Sequence, residues 1–233
     1  MLTKFRALIV GFLACTVSAL PAIAQTTFTV RIENLANPDG QVAKDGTKWP
    51  FALSPGAWVV SKGKNPLFTP GKRAGKAGLE TQAEDGNPRV LAQAVQAKKL
   101  LGGYFNTPVG TDKPDAIGPG GSYEFTVKAS RGSKLFYTQM FGQSNDLFYG
   151  TAKGIPLFDA QGKPKSGNVT TYVQLWDAGT EVNQEPGVGP DQAPRQKDFN
   201  TGKTEKKSVG IVRDAFTYPT TSTVLRVTIT PQG

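Results

Sequence analysis

Ser122-Tyr123-Glu124-Phe125-Thr126-Val127-Lys128-Ala129 changes character at every residue. Tyr123, Phe125, Val127 and Ala129 form one row, and Glu124, Thr126 and Lys128 form the other. A period of two puts these rows on opposite faces of a strand, one toward a core and one toward water. Thr27 to Asn34 repeats the pattern, with Phe28, Val30 and Ile32 set against Thr27, Thr29, Arg31 and Glu33. Near the C-terminus Leu225, Val227 and Ile229 alternate with Arg226, Thr228 and Thr230. Ala57 to Val60, Lys134 to Phe141 and Thr170 to Trp176 also read as strands. Asn37-Pro38-Asp39-Gly40, Ser54-Pro55-Gly56, Pro70-Gly71 and Gly118-Pro119-Gly120-Gly121 supply turn chemistry between them.

One stretch has a helical period. Asn87 suits an N-cap and Pro88 a first turn. Val90, Leu91, Ala94 and Val95 then share a face, and Gly102-Gly103 stops the run. Gly78 to Asp85 offers a shorter helical turn before it. Asp177 to Thr204 is polar and rich in Gly and Pro, and Asp198 to Ser208 reads as a disordered tip. There is no internal repeat and no shift of composition. The fold class expected is all-β: one domain, an antiparallel β-sandwich with one inserted helix.

The N-terminus has a different character. Lys4 and Arg6 precede an apolar run from Ala7 to Ala19, and Ala22-Ile23-Ala24 is a small-x-small cleavage signal before Gln25. Residues 1–24 therefore read as a secretory signal peptide, and residues 25–233 as the exported domain, periplasmic or secreted. No transmembrane segment is expected after cleavage. The leader holds two basic and no acidic residues, so the net charge of +9 becomes +7 without it. That charge suits an anionic surface or simply solubility. The basic residues are not interleaved with aromatics, so a nucleic-acid partner is not expected.

Composition excludes several chemistries. The 233 residues contain no His, which removes Ser-His-Asp and Cys-His catalysis, His-ligated zinc and a histidine general base. The one cysteine, Cys15, belongs to the leader, so the exported domain has no disulfide and no cysteine metal site.

Two short segments carry the remaining chemistry. Ser144-Asn145-Asp146-Leu147-Phe148-Tyr149-Gly150 follows one strand, and Leu175-Trp176-Asp177-Ala178-Gly179-Thr180-Glu181 follows the start of another. Loops at one end of a sandwich lie together, so Asp146, Asp177 and Glu181 can converge. Converging carboxylates repel unless a positive charge sits among them. A calcium ion, with its 6–8 oxygen ligands, does this well. The plainer alternative is that Asp146 and Asp177 cap turns while Glu181 is solvated. A glycosidase pair would also need two carboxylates, but no cleft signature accompanies these.

These segments resemble the spondin N-terminal domain, in which Ser-Pro-Asp-Trp-Phe-x-Gly is followed by Asp-Ala-Gly-Thr-Asp. Leu53-Ser54-Pro55-Gly56-Ala57-Trp58-Val59-Val60 is similar to an early strand of that family. Leu67-Phe68-Thr69-Pro70-Gly71, Gly78-Leu79-Glu80, Ala83-Glu84-Asp85-Gly86-Asn87-Pro88, Gly154-Ile155-Pro156-Leu157-Phe158-Asp159 and Gly189-Pro190-Asp191-Gln192-Ala193-Pro194 are similar to its bacterial branch. The resemblance runs from about Thr26 to Pro231. It implies a C2-like sandwich found in matrix and adhesion proteins. It also implies a calcium ion on three acids, which fall here on Asp146, Asp177 and Glu181. Asn145 stands where the family has Pro, Leu147 where it has Trp, and Glu181 where it has Asp. The first two changes are expected to loosen the loop.

The reading that results is an exported spondin-like module, not an enzyme. It binds one calcium ion that orders loops at one end of the sandwich, and it serves an adhesion-type role toward an extracellular or envelope polysaccharide or protein. The alternatives are a periplasmic metal- and carboxylate-dependent hydrolase and an ion-free structural envelope protein. Trp49, Trp58 and Trp176 are expected to pack in the core or at its rim.

Overall fold

The computed structural model describes residues 25–75 and 77–232. The expected signal peptide, residues 1–24, lies outside the described residues. Strand β1 (Gln25–Asn34) leads through a small ribbon of β2 (Gln41–Val42) and β3 (Lys48–Trp49) to β4 (Leu53–Ser61). Two helices follow, α1 (Leu79–Asp85) and α2 (Arg89–Ala97). Next come β5 (Leu101–Phe105), β6 (Ser122–Ser130), β7 (Lys134–Phe141), β8 (Leu147–Gly150), β9 (Ile155–Pro156), β10 (Gly167–Asn168) and β11 (Gln174–Asp177). After a long connection come β12 (Gly210–Ile211), the single turn α3 (Thr221–Val224) and β13 (Leu225–Pro231).

The two main sheets are antiparallel. One has the order β10-β13-β1-β6. The other is seven-stranded, ordered β12-β11-β8-β7-β4-β5 with β9 beside β7. This is the all-β sandwich-like fold expected. Alternation explains the smaller sheet. Phe28, Val30 and Ile32 of β1, Tyr123, Val127 and Ala129 of β6, and Leu225, Val227 and Ile229 of β13 are all buried in one core. Phe125 packs against that core in a stack of rings, 4.9 Å from Phe105 and 5.8 Å from Trp58. The outer face of the same sheet carries a cross-strand ladder of charge. Arg31 lies opposite Glu124, and Glu33 lies opposite Arg226, which reaches it at 2.7 Å.

Strand β7 breaks the alternation, being buried on both faces. Leu135, Tyr137 and Phe141 face the core between the sheets. Phe136, with Ala57, Val59, Phe148 and Trp176, faces a second core closed by Leu79 and Ala83 of α1 and Leu91 and Val95 of α2. The helices thus roof the larger sheet. Helix α2 is the inserted helix expected, α1 is a full helix where a shorter helical turn was expected over Gly78 to Asp85, and the one-turn α3 comes later. The glycines Gly102 and Gly103 do not end α2, which stops at Ala97 with Lys99 at φ 56°. They lie in β5, and a side chain on Gly102 would strike Val95 and the Trp58 carbonyl. A bare backbone there lets α2 sit directly on the sheet.

Strand β4 starts earlier than expected and runs through Pro55. Its register against β7 shifts between Leu53 and Gly56, and a bulge is where a strand tolerates proline. The Met140 N–H opposite the bulge donates to Ser54 Oγ at 2.8 Å instead of to a ladder carbonyl. Among the described residues no helix is long and apolar enough to cross a membrane.

Candidate functional site

Strand β8 lies between β7 and β11, with Leu147 opposite Asp177. That register brings the two acidic segments together. In the turn from β7 to β8, Ser144 Oγ donates to the Phe141 carbonyl at 2.6 Å and accepts from the Leu147 N–H at 3.1 Å. The turn places Asp146 beside the end of β11, where the Ala178 N–H donates to its main-chain oxygen at 3.2 Å.

The Asp-Ala-Gly-Thr run then folds around that aspartate. Asp177 Oδ1 accepts from the Gly179 N–H at 2.6 Å, closing a tight turn. Gly179 sits at φ +71° against the main chain of Lys207, where a side chain would collide. Glycine therefore suits both the conformation and the close approach. The turn aims the Thr180 N–H (2.7 Å), the Thr180 hydroxyl (3.1 Å) and the Glu181 N–H (3.1 Å) at Asp146 Oδ2. The other oxygen, Asp146 Oδ1, is buried and has no donor.

Glu181 is also buried, and the Asn145 amide donates to its Oε2 at 3.3 Å. Asn145 Oδ1 accepts from the Gln184 N–H at 3.2 Å. The residue expected to loosen the first loop instead ties it to the second. Leu147 is buried in the core between the sheets and fills its place as an apolar side chain. Asp177 is half-buried, with the Asn183 amide on its Oδ2 at 2.9 Å.

A fourth acid joins these three. Glu84, on α1, is 2% exposed, and neither carboxyl oxygen has a partner. The Thr180 hydroxyl lies beside it, but a hydroxyl has one proton to give, and Asp146 Oδ2 is its acceptor. Glu84 lies in the Ala83–Pro88 segment that carries part of the family resemblance, but nothing in that segment gave it a place among the acids. It lies in a helix far from both loops in sequence, next to the inward-facing Ala83.

Electrostatics follows from this packing. Burial pushes the Glu84 carboxyl up to about 8, with repulsion from Glu181, Glu80 and Asp146 added and the Thr180 hydroxyl opposing. Burial raises Glu181 to about 7, against the Asn145 amide, with Asp146, Asp191 and Asp85 contributing. Asp146 rises to about 6, again chiefly by burial and then by the charge of Asp177, despite its three donors. Asp177 is raised by burial, partly offset by the Gly179 amide and Asn183. Lys207 also lowers it, but that ammonium is exposed and held 2.7 Å from Glu205.

The remainder of the long loop is ordered around the same end. The Val182 N–H donates to the Lys203 carbonyl (2.8 Å), the Glu205 N–H to Thr180 (2.7 Å) and the Lys207 N–H to Gly179 (2.9 Å). Residues 198–208 are therefore not a free tip: part of the segment pairs with the motif itself. Gly202 lies directly against the Glu181 carboxylate, leaving no room for a side chain. Further along, the Gln196 amide and the Asn200 N–H both donate to Asp85 Oδ1. Phe199 and Pro194 there help to wall a groove of about 640 Å³ with Pro55, Pro88 and Met140.

Four carboxylates thus gather under one loop. Among the described residues no three of them stand at the spacing of a finished ligand shell. Both oxygens of Asp177 and one each of Asp146 and Glu181 already accept hydrogen bonds. The unpartnered oxygens of Asp146 and Glu84 are nevertheless the chemistry a hard cation takes. The donor set, all oxygen with no nitrogen or sulfur, fits calcium or magnesium and not a soft metal.

A scan against protein-family models and a search of curated proteins each found no match to this chain.

Proposed function

We propose that this chain is an exported, spondin-like module that takes one calcium ion between the β7–β8 turn and the Asp177–Glu181 loop, and acts by binding rather than by catalysis. The observation that carries the reading is Asp146 Oδ1. It is a carboxylate oxygen fully removed from water, without a donor, beside three further acids and, among the described residues, with no buried basic side chain paired to them. Leaving such a group uncompensated costs several kcal/mol, so it marks a position for a positive charge.

Asp146 is the fixed point of the proposed site. Three donors hold its Oδ2 and so orient Oδ1. Asp177 and Glu181 are the adjustable partners, each able to release a side-chain amide, Asn183 or Asn145, in exchange for the cation. When bound, calcium supplies the charge that offsets mutual repulsion of the acids. The loop they carry continues to Phe199 and Pro194, so ordering it shapes the groove wall. An extracellular or envelope polysaccharide or protein would be met on that surface.

The test is a melting curve of the purified protein in calcium, in magnesium and in chelator. A ligand at about 100 times its Kd adds about 2.7 kcal/mol. For a domain of this size that is a rise of about 5–10 °C. A saturable, calcium-selective rise is expected. No rise, together with no heat of binding by calorimetry, overturns the assignment.

A further inference from the structure

Glu84 is the buried charged group that the three-acid site leaves unexplained. Other buried atoms without a partner include the hydroxyls of Tyr137, Tyr149 and Thr138, an amide oxygen on each of Gln82 and Gln139, and the indole nitrogen of Trp49. These are neutral, and their cost is that of a lost hydrogen bond. Glu84 has two carboxyl oxygens in that condition, on a side chain 2% exposed. Asp146 Oδ1 is unpartnered as well, its Oδ2 accepting from the Thr180 hydroxyl, whereas Glu205, which also has one unpartnered oxygen, is paired through the other to Lys207. The Thr180 hydroxyl neighbours both acids, and the charges that bear on Glu84 are those of Glu181, Glu80 and Asp146.

We infer that Glu84 is a fourth carboxylate of the cation site, supplied by helix α1 and determining which ion the site takes. The inference rests on the calcium reading above. Its first consequence is charge. Four carboxylates around one divalent ion leave a net charge of −2, an arrangement that also welcomes a trivalent ion. The second is coordination number. Asp146, Asp177, Glu181 and both oxygens of Glu84 would displace most of the waters of magnesium's small octahedral shell, and magnesium gives up its waters reluctantly. Calcium, with 6–8 flexible positions, accommodates them. The third is mechanical. Helix α1 packs on Phe136 and Phe148 through Leu79 and Ala83, so Glu84 would join the helical roof to the two loops through the ion. Its neighbour Asp85 already holds Gln196 and Asn200 of the loop, so α1 would grip the groove wall from both sides.

The experiment compares the wild type, Glu84→Gln, Asp177→Asn and Glu80→Gln. Binding of calcium and of magnesium is measured by calorimetry. Terbium(III) binding is followed by its luminescence, sensitised through Trp176 one residue from Asp177. Amide exchange of α1 is recorded with and without calcium. Glu84→Gln is expected to weaken calcium by at least about tenfold, to narrow the preference for calcium over magnesium, and to abolish calcium-dependent protection of α1. Glu80→Gln, on the same helix, is expected to stay within about twofold of the wild type.

Unchanged calcium affinity and α1 protection in Glu84→Gln, with binding lost in Asp177→Asn, overturns the inference and leaves the three-acid site standing. No calcium or terbium binding by the wild type overturns both. Gln is isosteric with the neutral acid and removes only the charge, so the variant should melt in chelator no lower than the wild type. If it melts well below, Glu84 serves packing alone and the inference falls.

Discussion

Asn34, at the end of β1, and Asp146, in the turn after β7, are both sealed from solvent. Asn34 donates to the carbonyls of Phe51 (3.1 Å) and Ile117 (2.9 Å) and accepts from the Ala36 N–H at 3.0 Å. It is a closed polar junction between strands and a loop, and it needs nothing further. Asp146 collects three donors on one oxygen and none on the other. Around Asn34 the partners are neutral main-chain groups. Around Asp146 they include Glu84, Asp177 and Glu181. A buried amide can be completed by the chain itself, because every strand end offers carbonyls and N–H groups. A buried carboxylate cluster cannot be completed that way without a cation or protons. One buried polar group is held by finished hydrogen bonds, and the other stores electrostatic cost.

The sharpest break in this comparison is expected from Asn34→Leu. It removes all three bonds and leaves the Phe51 carbonyl without its partner, so denaturant melts should show a loss of about 3 kcal/mol. Calcium's stabilising shift should be unchanged. Asp146→Asn should do the reverse. Its stability in chelator should stay near that of the wild type, because an amide oxygen can still accept from Thr180 and Glu181. The calcium-induced rise of about 5–10 °C should disappear from the melting curve.

A pH series reads the stored cost directly. Glu84, Glu181 and Asp146 have folded values raised to about 8, 7 and 6, above reference values of 4.5, 4.5 and 3.8. Between each pair of values the folded state holds more protons than the unfolded chain, so stability falls as pH rises. The stabilising contribution of these groups is complete below about pH 4 and is lost as pH rises from there through about pH 8. Urea midpoints in chelator should therefore drop from about pH 5 to pH 8, and calcium should flatten the drop by favouring the ionised acids. A flat profile in chelator would mean that the acids are solvated in solution.

The smallest effect is expected on the outer face of the smaller sheet. Glu33 is held below the usual carboxylate range by its hydrogen bonds to Arg226, with burial opposing and the charges of Arg226 and Arg31 assisting. This pair is exposed to solvent and screening. Arg226→Ala should lower the melting temperature by no more than about 3 °C, with the difference shrinking in high salt.

Much of the architecture could be read from alternation alone. Phe28, Val30 and Ile32, or Leu225, Val227 and Ile229, have one buried side and one wet side, and period two records that. Strand β7 could be read as a strand but not as one buried on both faces, because its apolar run does not say what covers the second face. The roofing helices were half legible. Val90, placed by its spacing on one face with Leu91 and Val95, is 42% exposed, whereas those two face the sheet. Gly102 and Gly103 looked like a helix stop because glycine punctuates helices. Their actual role, a close approach between β5 and α2, depends on a neighbour that spacing does not reveal.

At the candidate site, the local chemistry was written in the chain. Asp177-Ala178-Gly179-Thr180 forms its turn through bonds spanning two residues, and Gly179 is required by the left-handed backbone. Such features depend on near neighbours and so are visible in sequence. The convergence of Asp146 with Asp177 was an inference from loops sharing one end, and it depends on β8 pairing with β11. Asn145, read as a loosening substitution, ties two loops because Glu181 and Gln184 fold back to it. Glu84 was decided by tertiary structure alone. Its carboxyl acquires meaning only when α1 is laid over the larger sheet, where burial strips its water and brings it against acids from distant parts of the chain.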